Sequence, residues 1–262
     1  MNDLNVTLVQ SKLYWEDREK NLKHFTALLK KLKRGSSDII ILPEMFATGF
    51  SMNSKMLAEK MDGESIAWMR KLASEKNAVV TGSLIIKEGD DCFNRLIWMA
   101  PEGSLRYYDK RHLFRMAKED QHYAAGRQKL ILEYKGWRIC PMICYDLRFP
   151  VWCRNTSSQK YDLILFVANW PVKRISAWRQ LLISRAIENQ CYVAGVNRIG
   201  KDGNGISYNG HSALINPTGK KISRMRAGVQ SMETIKLSAH ELEKTRRALP
   251  FLNDADEFDL TI

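Results

Sequence analysis

Apolar and polar positions along the chain change period repeatedly, and each change marks an expected element. Leu4 to Gln10 alternates and reads as a strand. From about Trp15 to Lys33, residues Leu22, Phe25, Leu28, Leu29 and Leu32 recur at three- and four-residue steps, the stripe of an amphipathic helix on a sheet, and Gly35-Ser-Ser37 ends it. The apolar run Asp38-Ile-Ile-Ile-Leu-Pro43 suits a strand buried on both faces, with Glu44 directly after it. Glu64 to Lys76 reads as a second helix. Ala78 to Ile86, Cys92 to Met99 and Leu105 to Asp109 read as strands, the last two flanking the turn Pro101-Glu-Gly103. Residues 111 to 129 are irregular, and a loop of that length inside a compact unit is often functional.

The pattern resumes with Gly136 to Ile143, which stops at Cys144 and gives way to turn chemistry through Pro150. Leu163 to Ala168 is apolar and ends at Asn169-Trp-Pro171. Ala177 to Gln190 places Trp178, Leu181, Leu182 and Ala186 on one helical face, and Tyr192 to Val196 is a strand closing at Asn197. Gly200 to Gly210 reads as a glycine-rich loop. Ser212 to Ile215, Lys221 to Arg226 and Ser231 to Leu237 read as a sheet-edge meander around the turn Asn216-Pro-Thr-Gly219. Ser238-Ala-His-Glu241 fits a capping box for a short helix to about Arg247. Alternation of strand and helix makes the fold class α/β. With no internal repeat, linker or low-complexity segment, the expectation is one unit over residues 1–262, with an aperiodic tail at 249–262.

Composition adjusts this picture in three places. No run approaches a membrane span and the amino terminus lacks secretory-signal character, so a cytoplasmic protein without membrane contact is expected. The five cysteines are odd in number and irregularly spaced. Cys140 and Cys144, if both lie in one strand, are about 13 Å apart, too far to bridge, so the cysteines read as reduced thiols. The formal charge of +12 would suit a nucleic-acid-associated protein without turnover, but the basic residues are scattered and interleaved with acids, as on a solvated surface.

Three polar residues follow strand-like runs directly: Glu44, Lys110 and Cys144. Ligands in layered α/β folds collect at one set of strand ends, so the three are expected to converge. A glutamate can take a thiol proton and return it to a leaving amine. A lysine ammonium and the backbone N–H of Tyr145 can hold an oxyanion. Together they suffice for acyl transfer through a thioester. A Cys–His dyad using His112 or His211 stays open as an alternative. The histidines are too dispersed for a metal site, the glycines complete no dinucleotide or phosphate-binding motif, and no cofactor is implied.

Leu42-Pro-Glu-Met-Phe46, Tyr108-Asp-Lys-Arg-His-Leu-Phe114 and Cys144-Tyr-Asp-Leu-Arg-Phe-Pro150, followed by Arg185-Ala-Ile-Glu-Asn-Gln190 and Asn216-Pro-Thr-Gly219, resemble the nitrilase, or carbon–nitrogen hydrolase, superfamily. The resemblance implies a four-layer αββα sandwich and a triad of Glu44 as base, Lys110 as oxyanion stabiliser and Cys144 as nucleophile. It also implies a second acid at Glu119, with Asp120 adjacent, and a homodimer or larger assembly with the tail near the subunit boundary. Val167-Ala-Asn-Trp-Pro171, Arg174, Trp178 and the tail Pro250-Phe-Leu-Asn-Asp254 look most like the ω-amidase branch, which hydrolyses ω-amides such as 2-oxoglutaramate. N-carbamoyl amino acid and nitrile hydrolysis are the other readings within the superfamily. Cys-Tyr-Asp in place of Cys-Trp-Glu weighs against the nitrile.

A small amide that carries a carboxylate makes Arg174 a candidate anchor, with Lys173 as rival, and Tyr145, Asn169 and Trp170 would line the pocket. Asp146 and Arg148 are expected to hold the turn after the nucleophile, and Cys140, Cys153 and Cys191 to be structural.

Overall fold

In the computed structural model, which describes residues 1–260, the alternating segments become two stacked sheets between helices. The first sheet gathers β1 (Leu4–Gln10), β2 (Ile39–Ile41), β3 (Val79–Glu88), β4 (Asp91–Met99), β5 (Leu105–Asp109) and β13 (Ser231–Leu237), in the order β13-β1-β2-β3-β4-β5. The second gathers β6 (Leu132–Tyr134), β7 (Trp137–Ile143), β8 (Leu163–Ala168), β9 (Tyr192–Asn197) and β12 (Ala213–Ile215), in the order β12-β9-β8-β7-β6. A separate hairpin joins β10 (Ile199–Lys201) to β11 (Ser207–Asn209). The helices are α1 (Arg18–Leu29), α2 (Ser54–Leu57), α3 (Glu64–Lys76), α4 (Ile175–Asn189) and α5 (Ala239–Ala248).

Period-two alternation assigns each strand face to a layer. In the first sheet Leu4, Val6, Leu8, Ile39, Ile41, Leu96 and Trp98 enter a core shared with β7, β8 and β9. Their neighbours Val9, Ile40, Val80, Ile97 and Met99 point the other way, onto Leu22, Phe25 and Leu29 of α1 and Ile66, Met69 and Leu72 of α3. On the far side, Trp178, Leu182 and Ala186 of α4 cover the second sheet. The result is the expected αββα order. Gly195 in β9 is where α4 approaches most closely: a Cβ there would stand 2.6 Å from a Leu182 methyl and 2.9 Å from the Trp178 ring.

Strands β1, β2 and β3 run parallel, β4 reverses, and β5 reverses again, so β2 and β5 point the same way. Strands β7, β8 and β9 are parallel in the second sheet. Glu44, Lys110, Cys144 and Asn169 therefore follow the carboxyl ends of β2, β5, β7 and β8.

The structure departs from the sequence reading at several points. Helix α1 starts later than Trp15 because the Asp17 side chain caps it, accepting from Lys20 N. The glycine-rich stretch holds the β10–β11 hairpin, its tip closed by Asp202 Oδ1, which accepts from Asn204 N and Ile206 N. Lys221 to Arg226 makes one bridge to Ile215 and no strand. The segments around it form no meander: β12 pairs with β9 in the second sheet and β13 with β1 in the first. Local pattern specifies extended backbone but not which open sheet edge receives it.

Replacing Gly195 by Ala forces a methyl into the α4 contact. The expected outcome is a loss of about 1–3 kcal/mol, read as a lower midpoint of urea unfolding. An unchanged midpoint would show that α4 has slack at this contact.

Candidate active site

Cys144 opens a short turn, Cys144–Arg148, at the end of β7, and its φ of +42° puts a side-chain-bearing residue in the left-handed region. Such a conformation costs on the order of 1–3 kcal/mol and persists only where neighbours over-determine it. Asp146 does so. Its Oδ2 accepts from Ile143 N at 3.0 Å and Tyr108 Oη at 2.8 Å, and its Oδ1 accepts from His112 N at 3.0 Å. The His112 ring lies 2.8 Å from Oδ1 and stacks on Phe149. From α4, Arg185 Nη2 donates to Leu147 O at 2.7 Å. The elbow is thus tied to β5, to the loop after it and to α4.

Beside the thiol stands a buried charge cluster. Lys110 Nζ donates to Glu44 Oε1 at 2.9 Å and to Glu119 Oε1 and Oε2 at 3.0 and 2.9 Å. All three side chains are 0–1% exposed. Glu119 sits on a 3-10 turn that begins after Lys118, itself in the left-handed region, and it also accepts from Phe114 N. Asp120, one step round that turn, points outward to Arg115. The acid facing the lysine is therefore Glu119. Glu44 Oε2 accepts from Asn169 N at 2.8 Å and Asn169 Nδ2 at 3.3 Å.

Two carboxylates and one ammonium carry a formal charge of −1. Burial alone would depress the Lys110 pKa, but the charges of Glu119 and Glu44 outweigh it and hold the ammonium protonated. For Cys144, burial and then the Glu44 charge push the thiol well above its usual range, with Lys110 opposing. At rest the sulfur is a neutral thiol. It becomes nucleophilic only as a base removes its proton, unlike the thiolate of a Cys–His ion pair.

The cluster opens into a cavity of about 380 Å³. Tyr145, Asn169, Trp170 and Arg174 all line it, as expected from the sequence. The rival Lys173 does not line it, and neither do His112 and His211. Arg148 does line it. Its guanidinium lies 4.9 Å from the Trp170 ring centre and makes no hydrogen bond to the elbow among the described residues, so of the two residues expected to hold that turn Asp146 does and Arg148 does not. Arg174 lies 5.0 Å over Phe114. Neither guanidinium is ion-paired among the described residues. Phe50, Met52 and Ile206 supply apolar wall.

Sequence reasoning missed Asn94. From β4 its Nδ2 donates to Glu44 Oε1 at 2.8 Å and to Glu119 Oε1 at 3.2 Å. The one available signal was an amide in the apolar run Cys92 to Met99. The other four cysteines are buried and, like Cys144, free. Burial lifts Cys140 to about 12, which leaves it inert.

The carbon-nitrogen hydrolase family profile matches residues 5–247. The chain belongs to that family. The hydrolase is 45% identical over 260 residues to the omega-amidase YafV of Escherichia coli strain K12, covering 99% of this chain and 100% of the relative. It is 29% identical to the 2-oxoglutaramate amidase of Bacillus subtilis strain 168, covering 95% and 96% of the two chains. Among solved structures, XC1258 of Xanthomonas campestris superposes with a TM-score of 0.97 at 46% identity over 100% of both chains. That protein is a CN-hydrolase superfamily member with an arsenic adduct in its active site. These matches establish the nitrilase-type α/β fold of this hydrolase and its action on amides.

Because the Cys144 pKa is raised, its thiolate fraction grows with pH through the neutral range. Modification by iodoacetamide, followed by mass spectrometry of the Cys144 peptide, is expected to keep accelerating to about pH 9 and beyond. A rate that plateaus below about pH 7 would show a preformed thiolate instead.

Proposed function

We propose that this hydrolase cleaves the ω-amide of a small dicarboxylic acid monoamide, such as 2-oxoglutaramate, to the acid and ammonia through a thioester on Cys144. One observation carries the reading: Cys144, Glu44 and Lys110 line one cavity with Arg148 and Arg174, whose guanidiniums form no ion pair among the described residues. The reacting end needs a base and an oxyanion partner. The far end needs a carboxylate anchor, and Arg148 and Arg174 offer planar forks for one. The omega-amidase and 2-oxoglutaramate amidase relatives support the same substrate class.

Glu44 removes the Cys144 proton as Sγ attacks the amide carbon. Lys110 Nζ–H and Tyr145 N–H hold the oxygen as it becomes anionic. Protonated Glu44 then gives its proton to the departing nitrogen, the C–N bond breaks and ammonia leaves. Glu44 next deprotonates a water that attacks the thioester carbon. The C–S bond breaks, and the sulfur recovers a proton as the acid departs. Glu119 keeps Lys110 charged and in place throughout, and Asn169 and Trp170 shape the wall beside the scissile bond.

The same reading includes one hydrolase unit that pairs as a homodimer and works in the cytoplasm. Tail residues Phe251, Phe258 and Leu260 stay 39–43% exposed, beside Val151 at 49%, on the face next to the elbow. Residues 261 and 262 lie outside the described part of the tail. No helix among the described residues is long and apolar enough to cross a membrane.

Ammonia release from 2-oxoglutaramate, 2-oxosuccinamate, succinamate, an N-carbamoyl amino acid and a nitrile tests the substrate class. The three dicarboxylate monoamides are expected to dominate, and Cys144→Ala to abolish turnover. Preference for the N-carbamoyl compound or the nitrile, or near wild-type activity in Cys144→Ala, would refute the assignment.

Arg148→Ala and Arg174→Ala test the anchor separately. Each is expected to raise KM for the carboxylate-bearing amides by about 10- to 100-fold, the scale of a lost charge-assisted hydrogen bond, and to leave neutral amides unchanged. A variant that leaves both KM values unchanged removes that arginine from the anchor.

A further inference from the structure

Two carboxylates compete for one ammonium in the cluster, and a neutral amide stands between them. Glu44 Oε1 and Glu119 Oε1 each accept from Lys110 Nζ and again from Asn94 Nδ2. The four atoms form a closed ring in which donors and acceptors alternate. Asn94 is 0% exposed, and its backbone carbonyl accepts from Lys110 N at 3.0 Å, so β4 holds the amide and the lysine in fixed relation. Its Oδ1 has no hydrogen-bond partner. A residue kept for packing would not bury an amide at that cost, whereas one kept for its two N–H groups would.

An ammonium has three N–H groups. Without Asn94, Glu44 Oε1 and Glu119 Oε1 would depend on Lys110 for the second donor each now has, and all three N–H groups would be drawn to carboxylates. With Asn94 supplying one donor to each, a single Lys110 N–H can be shared between the two Glu119 oxygens while a second serves Glu44, which leaves the third for the substrate.

We infer that Asn94 is a positioning residue that shares the donor demand of Glu44 and Glu119, leaving one Lys110 N–H for the oxyanion and holding the Glu44 carboxylate in place as the base. The inference rests on the proposed roles of Glu44, Lys110 and Cys144. The groups that face Glu44 are Lys110 from the end of β5, Glu119 and Tyr123 from the loop after it, Cys144 from the elbow and Tyr208 from β11. Arg148 and Arg174 line the same cavity. Asn94 is the neutral donor that touches both acids.

The test compares Asn94→Leu, which keeps volume and removes both donors, with Asn94→Asp, which keeps shape and replaces a donor by an acceptor. Cys144→Ala serves as control. Turnover of 2-oxoglutaramate is followed across pH, and folding is checked by thermal unfolding.

Both Asn94 variants are expected to lose about 10- to 100-fold in kcat, the scale of a lost hydrogen bond to a charged group, with KM within about twofold. Should Asn94→Leu fail to fold, Asn94→Asp alone decides. A kcat that matches the wild type across pH, a loss confined to KM, or a drop in thermal stability with kcat unchanged would overturn the assignment while an inactive Cys144→Ala leaves the triad standing. Activity surviving in Cys144→Ala would instead defeat the mechanism beneath it.

Discussion

The ion pair of Lys110 with Glu44 and Glu119 is the constraint the rest of the structure serves. Taking three charges out of water costs several kcal/mol per ion before any is recovered, and the loss is met only when geometry is good and the remaining hydrogen-bonding capacity is satisfied. Here it is met by donors from three places: Asn94 in β4, Phe114 in the loop after β5, and the backbone and side chain of Asn169 after β8. Removing the Lys110 donor would strand two buried carboxylates. The layers around the cluster are arranged so that none is missing.

The same economy explains the elbow. Cys144 is held in the left-handed region by Asp146, and Asp146 is held by Tyr108 and His112, which flank Lys110 in sequence. The segment that presents the ammonium therefore also fixes the thiol. Among the side-chain bridges that cross between the sheets at this end are Tyr108 to Asp146 and Asn169 to Glu44. Each joins a residue that binds or carries charge to one that shapes the thiol's surroundings.

Much of this was legible in the residues. The period of each apolar run located most strands to within a residue or two, and the placement of Glu44, Lys110 and Cys144 just after three such runs anticipated their meeting. What stayed hidden depended on orientation in three dimensions. Glu119 and Asp120 are neighbours with the same chemistry, and only the phase of a single 3-10 turn sends one inward. Arg148 looked like part of the elbow because it follows Asp146 by two residues, yet its guanidinium turns over Trp170. Asn94 lies within a strand, outside the recognisable motifs, and its importance appears only when two carboxylates from elsewhere arrive at its amide. The last strand, β13, could not be assigned to a sheet because backbone hydrogen bonding at an open edge is indifferent to side-chain pattern.

The division of parts between the sheets has one more consequence. Glu44, Asn94, Lys110 and Glu119 come from the first sheet and its loop, whereas Cys144, Tyr145, Asn169 and Trp170 follow strands of the second. A chain with only one sheet formed holds either the carboxylates and ammonium without the thiol or the thiol without them. Chemical competence is thus a readout of docking between the halves. On the proposed mechanism, a partly folded form emerging from synthesis would cleave no amide, because the parts of the reaction meet only at the finished interface.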